Sequence, residues 1–214
     1  MIEADPAKIQ LIMELRRGGI RDPRLLNVME TLPRERFVEE AFQSRAYENT
    51  ALPIASGQTI SQPFTVAFMT QALEVGPRMK VLEVGTGSGY QAAVLSRLCR
   101  RVYSVERYKS LLDKARAKFD ALQITNITTR YGDGMKGWPE QAPFERIIVT
   151  AAAAGAPTAL FGQLAEGGIM VFPLEKAPGE QVIMRMVKTA EGEQIDELMP
   201  TRFVPLVEGV ARES

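Results

Sequence analysis

The 214-residue chain has no histidine and one cysteine, Cys99. The first absence excludes every mechanism built on an imidazole: the Ser-His-Asp triad, the histidine general base and the histidine metal site. The second excludes an internal disulfide and a thiolate zinc cluster, and makes a reducing, cytoplasmic location the default expectation. Cys99, next to Leu98, reads as a small buried apolar residue rather than a nucleophile. Charge of one sign is also missing. The 26 basic residues are matched by 26 acidic ones, so the balance gives no support to a nonspecific nucleic-acid binder. No apolar run approaches a membrane span, and the longest weakly polar stretch, 147–157, is largely alanine. Residues 1–20 alternate charged and apolar positions and carry no signal-peptide core. Whatever chemistry occurs here needs little acid–base help.

Hydrophobic content of 45% and charged content of 24% suit a globular protein, and the length suits one domain. Residues 1–63 read as a helical segment followed by a loop. Ile9, Ile12, Met13 and Arg16 lie at helical spacing and Gly18-Gly19 ends that helix. Asp22-Pro23 starts a second helix carrying Leu25, Leu26, Val28, Met29 and Leu32, with a short turn at 34–37. Residues 47–63, rich in small hydroxyl residues, glycine and proline, read as an ordered loop. A helix over 64–73 then presents Phe64, Ala67, Phe68 and Gln71/Ala72. From residue 80 onward, strands and helices alternate. The strands expected are 81–85, 102–106, 127–131, 146–150 and 169–174, the last after a Gly167-Gly168 turn, with helices over 90–98 and 109–122. Two final strands, 182–188 and 198–207, surround a polar turn. This pattern predicts an α/β fold over 64–214: a mainly parallel sheet with an antiparallel C-terminal edge.

Residues 81–90 read Val-Leu-Glu-Val-Gly-Thr-Gly-Ser-Gly-Tyr. An apolar run that breaks into glycines is how a parallel strand delivers its chain to a nucleotide crevice. Counting from Gly85, the sixth position of a dinucleotide fingerprint is Tyr90, so that spacing fails; glycines recur at 85, 87 and 89 instead. Glu83 would repel a pyrophosphate but suit a ligand bearing an ammonium and a sulfonium. S-adenosylmethionine is such a ligand. The cofactor set is therefore Glu83, Gly85, Thr86, Gly87 and Gly89, joined by Glu106 at the end of the second strand, where a carboxylate accepts ribose hydroxyls. Asp133 and Gly134, just beyond the third strand, are placed to meet the adenine. The alternative for Glu106 is a surface ion pair with Arg107 or Lys109, and for Asp133-Gly134 an ordinary turn.

The segment 50–63, Thr-Ala-Leu-Pro-Ile-Ala-Ser-Gly-Gln-Thr-Ile-Ser-Gln-Pro, closely resembles the loop that precedes the glycine motif in bacterial protein-L-isoaspartate O-methyltransferases. The resemblance continues through 28–38, 81–90, 104–107, 131–134, 142–152, 164–168 and 202–207. The Gly-Gln-Thr-Ile-Ser run is the part specific to this family. The resemblance implies a Rossmann-like fold dependent on S-adenosylmethionine, without a metal. It also implies methylation of the free carboxylate of L-isoaspartyl residues in damaged proteins and peptides, which initiates repair through a succinimide. By the family pattern Ser61 is the catalytic residue, and Ile54, Gly57, Thr59 and Val207 face the substrate. Ser61 has a competing local reading as a helix cap before Pro63. Ala55, Ser56 and Val207 depart from residues common in the family and bear on affinity and peptide preference. The partners expected are isoaspartyl proteins and peptides, with no nucleic acid and no membrane. Other readings are a same-fold methyltransferase of RNA or a small molecule, and a non-catalytic cofactor-binding module.

Overall fold

The computed structural model describes residues 5–213. Three helices, α1 (Pro6–Arg17), α2 (Pro23–Thr31) and α3 (Pro63–Ala72), precede the alternating region, with a two-residue hairpin, β1 (Leu52–Pro53) and β2 (Thr59–Ile60), before α3. The first two helices begin as the sequence suggests, an aspartate cap then a proline: Asp5 accepts from the Ala7 N–H, and Asp22 from those of Arg24 and Leu25. The core follows as β3 (Lys80–Val84), α4 (Tyr90–Ser96), β4 (Arg101–Glu106), α5 (Lys109–Ala121), β5 (Ile127–Tyr131), β6 (Phe144–Val149), α6 (Thr158–Phe161), β7 (Leu164–Ala177), β8 (Glu180–Thr189) and β9 (Gly192–Thr201).

These seven strands form one sheet in the order β5-β4-β3-β6-β7-β8-β9, parallel through β7 and antiparallel beyond it. The chain builds outward from β3 in one direction to β5, then returns to β3's other side with β6. The order thus reverses between β3 and β6, and the crevice at their carboxyl ends is the topological switch point where such sheets bind ligands. Strand alternation divides the interior into two cores. Val81, Ile148, Val171 and Ile183 face the helices α1 to α5, whereas Leu82, Val149, Phe172 and Met184 face α6 and the short turns near Trp138.

Four expected features come out differently. On α1 the buried residues are Leu11, Ile12 and Leu15, while Ile9 and Met13 are each 45% exposed. Apolar side chains occupy more than one face of α1, and tertiary packing chose between them. On α3, Thr65, Val66, Met69 and Thr70 are buried beside Ala67, and the expected Phe64 and Phe68 are only half-buried. Strand β7 begins at Leu164, not after the glycine pair, because Gly167 is absorbed where the β6–β7 register shifts. Strand β9 ends at Thr201 rather than continuing to 207. Gln181 turns the chain there: its side-chain amide accepts from the Phe203 N–H at 2.6 Å and donates to the Phe203 carbonyl at 3.2 Å. Residues 204–206 then cross to the end of β6, where Ala152 donates to the Val204 carbonyl and accepts from the Leu206 N–H.

Candidate active site

The glycine turn lies at the switch point, and two of its glycines are required by close packing. Gly85 has φ +97°, and a β-carbon there would stand 2.3 Å from Thr150 Oγ1, which donates to the Gly85 carbonyl at 2.8 Å. Gly89, at φ +89°, opens α4, and a β-carbon would stand 2.9 Å from the Phe119 ring on α5. Both need left-handed backbone and a missing side chain together.

Three carboxylates gather round this turn in different states. Glu106 lines the cleft, and its oxygens accept from three backbone N–H groups: Gly87 at 2.7 Å, Arg107 at 2.8 Å and Tyr108 at 3.0 Å. It ties the glycine turn to β4 and pairs with no cation among the described residues. A carboxylate has about four acceptor positions, so one remains for a ligand hydroxyl. Glu83 is fully buried beneath the turn and does not wall the cleft. Its carboxyl bonds the Ser104 hydroxyl, which lies 2.6 Å from Thr86 Oγ1, and its other oxygen makes no hydrogen bond. Burial pushes its pKa up to about 8, with Glu106 adding repulsion and the Ser104 hydrogen bond opposing both. Burial thus favours the neutral form of Glu83 and works against the expected attraction between its charge and a cationic ligand. Asp133 accepts from the Met135 N–H at 2.9 Å through Oδ1, while its buried Oδ2 makes no hydrogen bond and lies 3.9 Å from Lys136 Nζ.

Ser61 enters the cleft from the opposite wall, between β2 and α3. It does not cap α3. The Phe64 N–H is taken at 3.0 Å by the Asn49 side chain, and Gln62 Nε2 donates to the Asn49 carbonyl at 2.8 Å. No side-chain hydrogen bond is recorded for Ser61 among the described residues, whereas its carbonyl accepts from Arg34 Nη2 at 2.8 Å. The cleft between the walls measures about 270 Å³.

Of the expected site residues, Ser61, Gly57, Thr59, Gly85, Thr86, Gly87, Glu106, Gly134 and Val207 line this cleft. Ile54, Glu83, Gly89 and Asp133 lie behind its walls; Ile54 is buried, with its Cδ1 3.9 Å from where a Gly87 β-carbon would stand. Sequence reasoning missed Tyr90, Tyr108, Leu111, Thr150 and the crossing at 204–206. Tyr108 could have been found, since an aromatic two residues past the strand-end acid faces the same crevice. The crossing had no local signal, because a tertiary contact with Ala152 makes it.

The lining fits a nucleoside ligand: an acceptor position left on Glu106 and apolar walls from Val84, Val105 and Leu111. Among the described residues no cluster of three His, Cys, Asp or Glu side chains could hold a metal ion, and no helix is long and apolar enough to cross a membrane.

The family model of protein-L-isoaspartate(D-aspartate) O-methyltransferase matches residues 6–211. The chain belongs to this family. It is 60% identical over 216 residues to the protein-L-isoaspartate O-methyltransferase of Parvibaculum lavamentivorans, covering 100% of this chain and 97% of that protein. With the Paramagnetospirillum magneticum enzyme of the same name it is 59% identical, and both chains are fully covered. A solved protein-L-isoaspartate O-methyltransferase superimposes with a TM-score of 0.84 at 30% identity, over 92% of this chain and 65% of that one. A Plasmodium falciparum structure, described as a putative member in complex with S-adenosyl-L-homocysteine, superimposes at 0.79 with 26% identity over 95% and 99%. The chain is thus an S-adenosylmethionine-dependent methyltransferase of the isoaspartyl-repair family.

Proposed function

We propose that the chain methylates the free carboxylate of L-isoaspartyl residues in damaged proteins and peptides within this cleft, with Ser61 as the catalytic residue facing the acceptor. The observation that carries the assignment is the Ser61 hydroxyl, released from capping by Asn49 and placed in the cleft across from the glycine turn. S-adenosylmethionine, when bound, supplies a methyl group activated by a sulfonium. A carboxylate oxygen of the acceptor would take that carbon as the carbon–sulfur bond breaks, which would leave a neutral ester and a neutral thioether. The acceptor is ionised at neutral pH, the reference pKa of an α-carboxyl being about 3.5, so no base is required. That accords with a chain without histidine.

The protein's part is then positioning and exclusion of water. Gly85, Thr86, Gly87 and Gly134 would form the cofactor floor, Glu106 would accept from the ribose, and Asp133, behind the wall beside Gly134, would reach the adenine amino group only by a shift of its side chain toward the cleft. Glu83 would act from below, holding Thr86 through Ser104. Gly57, Thr59 and Val207 would border the acceptor peptide, with Ile54 packed behind them. The ester would then close to a succinimide, a step that needs no residue of this chain. The reading treats residues 1–214 as one methyltransferase domain working in the reducing cytoplasm, where buried Cys99, its thiol pushed up to about 12 by burial, stays inert.

The test is incubation with labelled S-adenosylmethionine and matched aspartyl and isoaspartyl peptides. Base-labile label on the isoaspartyl peptide alone is expected. Ser61→Ala should keep cofactor affinity but lose at least about tenfold in turnover; unchanged turnover would remove Ser61 from the mechanism. Label on neither peptide, with cofactor bound, would favour a binding module.

A further inference from the structure

Arg34, in the short turn 34–37, has no exposed surface, although arginine is almost never fully buried without an anionic partner. No carboxylate lies within ion-pair distance of it among the described residues. Glu35 next to it is engaged by the Tyr47 hydroxyl. Burial lowers the Arg34 pKa from its ordinary value, but a guanidinium starts high enough to remain charged. The charge is held by carbonyls and a ring instead: Nε donates to the Ala46 carbonyl at 2.9 Å, Nη2 to the Ser61 carbonyl at 2.8 Å, and the guanidinium carbon lies 4.6 Å from the Tyr90 ring centroid. Nη1 makes no hydrogen bond. Both Ser61 and Tyr90 line the cleft, so Arg34 stands directly behind the wall where an anionic acceptor would sit.

We infer that Arg34 is a positioning residue for methyl transfer: its planar fork fixes the backbone at Ser61, and its charge behind that wall favours a carboxylate held at the Ser61 hydroxyl, so that both effects act through Ser61. The inference rests on the assignment of Ser61 above. An isolated cation in a poorly solvated interior acts over a longer range than one in water. A planar two-carbonyl clamp also sets the direction of the peptide plane, as a lysine could not. A neutral apolar side chain of similar length would fill the space without either effect, so packing alone does not require arginine.

The experiment is a double-mutant cycle on the full chain with Arg34→Met, Ser61→Ala and the combination, using an isoaspartyl peptide and, separately, S-adenosylhomocysteine binding. Arg34→Met should lower peptide turnover about 10- to 100-fold, the range for one hydrogen bond to a charged group. Cofactor affinity should stay within about twofold, and in the Ser61→Ala background the extra loss should shrink to about twofold. Arg34→Lys should recover part of the turnover, since it restores the charge and one donor. Losses that multiply, or a cofactor affinity that falls in step, would show a structural role only and overturn the inference. If Arg34→Met does not fold, Arg34→Lys carries the same cycle with a smaller expected loss that again vanishes beside Ser61→Ala. Wild-type protein inactive on isoaspartyl peptide overturns the functional reading and this inference together. Active wild type with an equally active Arg34→Met overturns this inference alone.

Discussion

Glu83, one residue before the end of β3, has no exposed surface, and burial pushes its pKa up to about 8, which favours the neutral acid. In the unfolded chain a glutamate titrates near its ordinary 4.5. Between those two values the folded state holds a proton that the unfolded state has released, so stability falls as pH rises through the window. The contribution is fully present below the unfolded value and gone above the folded one. Glu83→Gln removes this dependence while keeping the shape. Thermal melts of ligand-free wild type and variant, from about pH 5 to about pH 9, should therefore diverge, the wild type losing ground as pH rises. Parallel curves would mean that Glu83 is ionised in the fold. The glycines at 85, 87 and 89 were legible in the sequence because a tight turn is a local matter. The raised pKa of Glu83 was not, because its cause is the strands and turn that close over it.

The same division between local and tertiary causes holds for the elements. Boundaries set by caps and breakers, such as Asp22-Pro23 for α2 and Ile127–Tyr131 for β5, could be read directly. Faces could not be, where apolar residues cover more than one side, as α1 and α3 show. Helix α3 also has a start that no window on its own sequence reveals: its capping side chain is Asn49, which reaches the Phe64 N–H across the hairpin. Asn49→Ala should cost about 1 kcal/mol of stability, the ordinary value of an N-cap. Ser61→Ala, the variant that local reading would expect to remove the cap, should change stability by no more than about 0.5 kcal/mol. Denaturant titration of both variants decides between the two caps. A larger loss in Ser61→Ala than in Asn49→Ala would return the capping role to Ser61.

Across the whole molecule, the antiparallel edge and the cleft are joined by the last residues of the chain. After Gln181 diverts it at Phe203, the chain crosses at 204–206 to the switch point and continues past the carboxyl ends of β4 and β5. There Ala211 donates to the Arg107 carbonyl at 2.9 Å, Arg107 Nε donates to the Gly209 carbonyl at 3.2 Å, and the Tyr131 hydroxyl lies 3.4 Å from the Ala211 carbonyl. Glu213 accepts from the Ser110 N–H and hydroxyl at the first turn of α5, whose own sequence supplies no side-chain cap. Those hydrogen bonds hold the Glu213 carboxyl below its ordinary 4.5. A lowered pKa places the stabilisation above the ordinary glutamate value and removes it as pH falls through the lowered one. Arg107, which the tail grips, also lines the cleft, beside Glu106 and Tyr108. Truncation after Val207 should therefore weaken S-adenosylhomocysteine binding at neutral pH, measured by calorimetry, while the melting temperature falls only slightly. Glu213→Gln should reproduce part of that weakening, and its difference from wild type should close as the pH drops below the carboxylate range. Equal affinity in the truncated and full chains would confine the tail to capping α5, with no hold on the site.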